Sequence, residues 1–344
     1  MNKKGYIITI YSLAHLVVDF SCAFLMFSRV NNSSQWYLCI LLYNFCAFAM
    51  QMPIGLLADK INRNAIFAAA GCAFVALSFS ISNFFVPCAV IAGLGNGLFH
   101  VGGGIDVLNV SKEKSSALGI FVSPGAFGLY LGTLFGKKSE LSSILIVVIL
   151  LAMAAAILAI CYKVKGSFVS DNSPVSFKNM DSPAFLLAVI SLFIVVCLRS
   201  YVGMLLDFPW KAEKSWGLIL ICAIVLGKAC GGILADAIGS FKASFLSLGI
   251  SAILFVFSQY PVAGILAVFL FNMTMPITLW AVARILPGVK GFSFGLLTFG
   301  LFLGFMPVYF VLNPIIHTSL GFAMASLISL GLLLFGLRKA VVQE

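Results

Sequence analysis

The stretch "GLLADKINRN", residues 55–64, returns in altered form as "GGILADAIGS", residues 231–240. In both, Gly-x-Leu-Ala-Asp closes an apolar run, with the aspartate at Asp59 in the first copy and Asp236 in the second. The leading glycines, Gly55 and Gly232, stand 232 − 55 = 177 residues apart, close to half of the 344-residue chain. Such spacing implies a duplicated half, so the two halves should show the same succession of elements.

Composition fixes the solvent. The chain is 62% hydrophobic and 9% charged, with a mean hydropathy of +1.12. A soluble core has no room for that much Leu, Ile, Val and Phe, whereas a bilayer requires it on every outward face. The 31 glycines fit the same solvent, since small residues let helices approach closely in lipid. The start, "MNKKGYIITIYSLAHLVVDF", has a basic end like a signal peptide, but its apolar part contains His15 and Asp19 and has no small-residue cleavage site. It reads as a retained first helix. Nine cysteines lie singly, without Cys-x-x-Cys, and read as small core residues; neither a disulfide, a metal nor a cofactor is expected.

Cutting at polar and Pro/Gly-marked breaks gives twelve spans: 5–28, 37–58, 64–82, 86–110, 115–136, 141–163, 183–206, 216–236, 241–258, 261–284, 291–312 and 315–337. A longer polar connection at 164–182 separates six from six. The expectation is an all-α polytopic membrane protein with a six-helix bundle at 1–163, a cytoplasmic linker at 164–182 and a second six-helix bundle at 183–344. Basic residues orient it. With the N-terminus inside, the inner segments hold Lys3, Lys4, Lys60, Arg63, Lys112, Lys114, Lys163, Lys165, Lys178, Lys242, Arg284, Lys290, Arg338 and Lys339, against Arg29, Lys137, Lys138, Lys211 and Lys214 outside. The count of fourteen to five puts both termini and both Gly-x-Leu-Ala-Asp copies on the cytoplasmic side. The formal charge of +10 is therefore topological, and no nucleic acid is expected as a partner.

This constellation resembles the major facilitator superfamily, whose loop between helices two and three carries Gly-x-Leu-Ala-Asp-(Arg/Lys)-x-Gly-Arg-(Arg/Lys). Gly55, Leu57, Ala58, Asp59, Lys60 and Arg63 match it. Asn62 stands at the second glycine, and Asn tolerates the left-handed conformation better than most residues. In the second copy Gly232, Leu234, Ala235, Asp236 and Gly239 match, while Ser240 replaces the arginine. The resemblance covers the whole chain through helix number, half-chain repeat and central loop. It implies two pseudo-symmetric bundles around a cavity at the midplane, rocking to give alternating access. It also implies a cytoplasmic conformational latch at Gly55, Asp59, Arg63, Gly232 and Asp236. A narrower resemblance, to the fosmidomycin-resistance-like exporters of that superfamily, rests on His15 and Asp19, on Gly93, Gly95, Phe99 and His100, and on Arg199, Ser200 and Tyr201. Val101 stands where those exporters carry proline, and span four contains none of the arginine found there in many facilitator antiporters.

Ionisable groups inside spans are expensive and need a reason. His15 and Asp19 lie one turn apart on one helix face. Two roles are open to them: a packing hydrogen bond that orients the imidazole, or a carboxylate–imidazole pair that exchanges a proton, to which histidine is suited by its pKa. At about 1.5 Å per residue, His15 and His100 come out at a common depth, roughly 15 and 16 Å from the cytoplasmic face. By the same arithmetic Asp19 and Arg199 lie about 21 and 24 Å from it, which permits an ion pair between the halves. His15, Asp19, His100 and Arg199 are thus the candidate proton-coupling and substrate residues. In span five, Gly119, Gly125, Gly128 and Gly132 surround Pro124. Pro124 and Gly125 read either as a hinge or as a kink in a packing helix. Asp106 and Lys228 lie near inner span ends with roles left open, since Lys228 is as able to snorkel as to act, and His317 reads as structural.

Nothing resembles a nucleotide-binding loop, so an ion gradient should supply the energy. The expected function is proton-coupled export of a small organic compound by antiport. The alternative is proton-coupled uptake of a small organic anion, with Arg199 and the histidines as receptors; a membrane sensor or membrane enzyme is the distant rival. No catalytic cluster is expected. The expected partners are a small-molecule substrate, protons and the lipid bilayer, for a monomer in a bacterial inner membrane.

Overall fold

A computed structural model describes residues 3–111, 114–139, 141–163, 175–177, 181–310 and 317–341. Among them the chain forms twelve α-helical segments, one 3-10 turn at Pro209–Ala212 and no strand. In chain order these are α1 (Lys4–Val30), α2 (Trp36–Ile61), α3 (Asn64–Ser80), α4 (Phe85–Ser111), α5 (Ser116–Lys138), α6 (Ser143–Lys163), α7 (Pro183–Leu205), α8 (Ser215–Ile238), α9 (Ser240–Val256), α10 (Pro261–Ile285), α11 (Lys290–Tyr309) and α12 (Ser319–Val341). Ten are long and apolar enough to cross a membrane. The two shorter ones, α3 and α9, are the third helix of each half, so even the exception repeats. The linker expected at 164–182 lies for the most part outside the described residues.

Local chemistry sets the boundaries. Pro183 and Pro261 open α7 and α10, where a missing N–H costs nothing. α1 and α2 each contain one π-helical stretch, Met26–Val30 and Phe45–Ala49, and α10 is interrupted at Met273. α2 ends at Asn62, which takes the left-handed conformation with φ 56° and ψ 43°. α8 ends at Gly239, also with positive φ, at 89°. These are equivalent positions of the duplicated motif, 239 − 62 = 177, and both supply the backbone reversal that the following helix needs.

The chain divides into two compact units, one of residues 1–112, 124–175 and 288–299, the other of 113–123, 176–287 and 300–344. Each takes most of one half and a short piece of the other. In the first, α3 packs on α4 and α6, and α1 on α4 and α6. The α3–α4 contact is close because Gly71 and Gly95 face each other: a β-carbon on either would collide with the opposing backbone. In the second, α9 packs on α10 and α12, and α7 on α12, repeating the neighbour relations of the first. Buried serines supply hydrogen bonds between these helices, from Ser251 Oγ to the Ala267 carbonyl at 2.8 Å and from Ser326 Oγ to that of Leu248 at 2.9 Å. The division crosses α5 between Ser123 and Pro124, and α11 between Phe299 and Gly300.

Candidate functional site

Within the first unit, α1 and α4 bring His15, Asp19, Asn96 and His100 together. Each helix contributes two residues one turn apart, so both pairs point from a single face. Nε2 of His15 stands 2.8 Å from Nε2 of His100. The Asp19 carboxylate bridges them, with Oδ2 3.2 Å from His15 Nε2 and Oδ1 3.6 Å from His100 Nε2. Asn96 Nδ2 donates to Asp19 Oδ1 at 2.9 Å. Nδ1 of His100 lies 2.8 Å from the Asn96 carbonyl, and since a carbonyl only accepts, Nδ1 carries the hydrogen. In the neutral ring this leaves Nε2 of His100 with its lone pair turned toward His15. Two facing imidazole nitrogens at that distance need one hydrogen between them, which the Nε2–H tautomer of a neutral His15 supplies. His15, His100 and Asn96 are 6%, 8% and 2% exposed, so bulk water does not compete.

α5 closes the cluster. Gly125 faces it directly, and a β-carbon there would collide with His15 Nε2 and Asp19 Oδ2. Gly128, Gly132 and Gly136 continue the stripe, against the backbone carbonyls of Leu16, Phe20 and Phe24. The expected glycines therefore bring α5 close against α1, and Pro124 sits inside a continuous helix, next to the cluster. Gly119 is not part of this stripe; it lies in the second unit, against the carbonyl oxygens of Lys228 and Ala229.

Both motif aspartates hold helix N-termini. Asp59 accepts the backbone N–H groups of Gly291 and Phe292, at the start of α11, at 2.7 and 2.9 Å. Asp236 accepts those of Ser115 and Ser116, at the start of α5, at 2.7 and 3.1 Å. The first N–H groups of a helix lack internal partners and carry its positive dipole end, so a carboxylate suits them twice over. The motif glycines make room: a β-carbon at Gly55 would strike Gly291, and one at Gly232 would strike Ser115. Each contact joins residues from opposite halves of the sequence, and each falls within one compact unit, 59 with 291 and 236 with 115. Arg63 takes no part: its guanidinium has no hydrogen bond or ion pair among the described residues, and it serves as the residue before α3. A cavity of about 420 Å³ opens beside Asp236, lined by Lys114, Gly239, Lys242 and Trp280 among others.

Arg199 lies on α7 in the second unit, 8% exposed, and its Nε and Nη1 have no hydrogen-bond partner among the described residues. Its neighbour Ser200 donates to the Leu301 carbonyl at 2.6 Å. His317 is exposed and Lys228 is half-buried. Sequence reasoning missed Asn96, although it stands one turn before His100. It also missed the partners of Asp106: Tyr11 Oη donates to Asp106 Oδ2 at 2.6 Å and Asn64 Nδ2 to Oδ1 at 3.0 Å. Tyr11 is one turn before His15, so the same spacing was there to be read.

No family model matches this sequence, and no curated protein matches it. Solved structures do. The chain superposes on the E. coli fucose:proton symporter FucP with a TM-score of 0.65, at 15% identity, over 97% of this chain and 99% of that one. A major facilitator superfamily transporter, FucP, in the outward conformation gives 0.68 at 16% identity over the same shares. A bacterial homologue of the iron transporter ferroportin, in the outward-facing state, gives 0.61 at 14% over 98% of both chains. The fold is that of major facilitator transporters. Asp59 lies in the last turn of α2 and Asp236 in the last turn of α8, each just before the break that leads to the next helix.

Proposed function

We propose that this chain is a secondary active transporter of the major facilitator superfamily, exporting a small organic compound in exchange for protons by alternating access. The observation that carries the reading is the cluster of buried His15 and His100 with partly buried Asp19, in a chain of which only 9% is charged. Charged and titratable groups at membrane depth are retained for function, and imidazole loads and unloads protons near neutral pH. FucP, with the same fold, is named as a proton symporter. Asp59 and Asp236 act as cytoplasmic latches that let go of the α11 and α5 N-termini when the inner side opens. Pro124 and Gly125 are the hinge that transmits the state of the cluster to α5. Both termini are cytoplasmic, in a bacterial inner membrane.

Proteoliposomes with an imposed pH gradient test this against a panel of small organic compounds. Accumulation of a compound that a protonophore abolishes is the expected result, and a panel member moving equally well without the gradient refutes proton coupling. A second reading, uptake of a small organic anion, is favoured by the unpartnered Nε and Nη1 of buried Arg199, which an anionic substrate would satisfy. Transport of acids only, lost in Arg199→Gln, would decide for it.

A further inference from the structure

The cluster of His15, Asp19 and His100 is also a set of metal donors. Each residue offers one ligand atom, and these atoms all lie within 4.8 Å of one another. Donors bound at about 2.0–2.2 Å around a tetrahedral first-row ion stand about 3.3–3.6 Å apart. The two Nε2 atoms stand 2.8 Å apart, and the carboxylate sets one oxygen against each, Oδ2 at 3.2 Å from His15 and Oδ1 at 3.6 Å from His100, so an opening of the imidazole pair by about half an ångström with a turn of the carboxylate would seat an ion among them. The surroundings meet the usual requirements of such a site. A ligating histidine gives its other ring N–H to a backbone carbonyl or carboxylate, as Nδ1 of His100 does to Asn96. A ligating carboxylate is itself held, as Asp19 is by Asn96 Nδ2. Asn96 Oδ1, in a side chain 2% exposed, is a buried acceptor without a partner, a further electron pair beside the donors. Gly125 leaves free the position where a β-carbon would press on His15 Nε2 and Asp19 Oδ2. Spacing alone gave no metal pattern because the third donor lies 85 residues from the first.

We propose that His15, Asp19 and His100 bind a divalent first-row transition-metal ion of the zinc class, with three protein donors and a fourth position open to water or a transported molecule. Two imidazoles and one carboxylate are a borderline donor set that suits such ions and disfavours magnesium or calcium, which take oxygen ligands. The metal and the coupling proton would occupy the same lone pairs, so bound metal arrests the exchange cycle. Only that consequence rests on the transport reading; the binding does not.

The test titrates the purified full-length protein in detergent with Co²⁺ as an optical probe and then adds Zn²⁺. One equivalent of Co²⁺ should give the visible ligand-field absorption of a four-coordinate nitrogen and oxygen site, and Zn²⁺ should bleach it. His100→Gln and Asp19→Asn should each weaken binding at least about tenfold. Gly125→Ala should do the same by pressing a methyl group on the donors. Absence of the one-equivalent absorption overturns the proposal. So does a near-ultraviolet thiolate band, which would assign the metal to the nine free cysteines, or unchanged affinity in both ligand variants. The wild-type spectrum decides even where a variant fails to fold. Because binding needs no gradient, a chain that binds Co²⁺ but ignores pH refutes only the transport reading. One that responds to pH without the cobalt spectrum refutes only the metal site.

Discussion

The two halves of this chain repeat the scaffold and differ in the chemistry. At the 177-residue offset of the duplicated motif, the places of His15 and Asp19 on α1 fall on Leu192 and Val196 of α7, which are 0% and 2% exposed. α4 and α10 begin at Phe85 and Pro261, and counted from those starts the place of His100 falls on buried Pro276. Only the amide survives. Asn272 holds the place of Asn96, but its Nδ2 donates to the Val268 carbonyl one turn back, at 2.9 Å, instead of to a carboxylate. The helix-end carboxylates, in contrast, are kept in both halves with the same pair of backbone donors each. On the proposed reading a latch is useful at two places, while an ion site needs to exist once. The symmetric parts are the scaffold and the helix-end carboxylates, and where one half carries buried polar groups the other carries apolar packing.

The sharpest way to break that contrast is to change matched positions. Asp19→Asn should abolish accumulation driven by a pH gradient, because an amide does not alternate charge, while downhill exchange survives. Leu192→Ala should leave the pH dependence of transport unchanged and cost about 2–5 kcal/mol of stability, read from the unfolding midpoint. If Leu192→Ala abolished pH-driven transport in a folded protein, the division of labour would be wrong. Gly125→Ala comes next: the added methyl group collides with His15 and Asp19, so pH-driven transport should fall at least about tenfold, an effect of about 1.4 kcal/mol on the rate-limiting barrier. Gly249→Ala is its control. A β-carbon there meets nothing within 4 Å, and replacing a helical glycine should stabilise the protein by about 0.4–1 kcal/mol.

How much of this was legible beforehand follows from the periodicities involved. Span positions came from hydropathy, and most boundaries agree with the structure within a few residues; the last span lies further along, at Ser319–Val341 instead of 315–337. The left-handed turn at Asn62 was readable from the glycine it replaces, since one backbone conformation explains both residues. The His15–Asp19 pair was readable as well, being one turn apart on one helix. Their approach to His100 was foreseen only as a common depth, because depth follows from residue count while facing direction depends on how α1 and α4 pack. The helix ends that Asp59 and Asp236 hold, Gly291–Phe292 and Ser115–Ser116, were not legible at all. Backbone N–H groups exist at every residue, so no side-chain pattern marks the ones a carboxylate will reach.

The last comparison concerns the two helix-end carboxylates, proposed above as latches, and here it becomes quantitative. Both aspartates accept two backbone N–H groups, so both substitutions to asparagine remove a charge from a helix N-terminus and one good acceptor. Charge at a helix N-terminus is worth about 0.3–1 kcal/mol when exposed and up to about 2 kcal/mol when partly buried. Both bonds of Asp59 are partly buried, whereas the Asp236 bond to Ser116 is exposed and the 420 Å³ cavity opens beside that carboxylate. Water competes with and screens the Asp236 contacts more than those of Asp59. Asp59→Asn should therefore shift the latched population by about 10–30-fold, and Asp236→Asn by about 2–5-fold. The measurement is accessibility of a single cysteine introduced in the first turn of the helix whose N-terminus the carboxylate holds, at buried Ser293 for the first and buried Ala117 for the second. High salt should reduce the Asp236→Asn effect and leave that of Asp59→Asn nearly unchanged, because partly buried pairs are screened less. Equal shifts with equal salt dependence would mean that the two carboxylates share one environment, and that the difference in their surroundings has no energetic consequence.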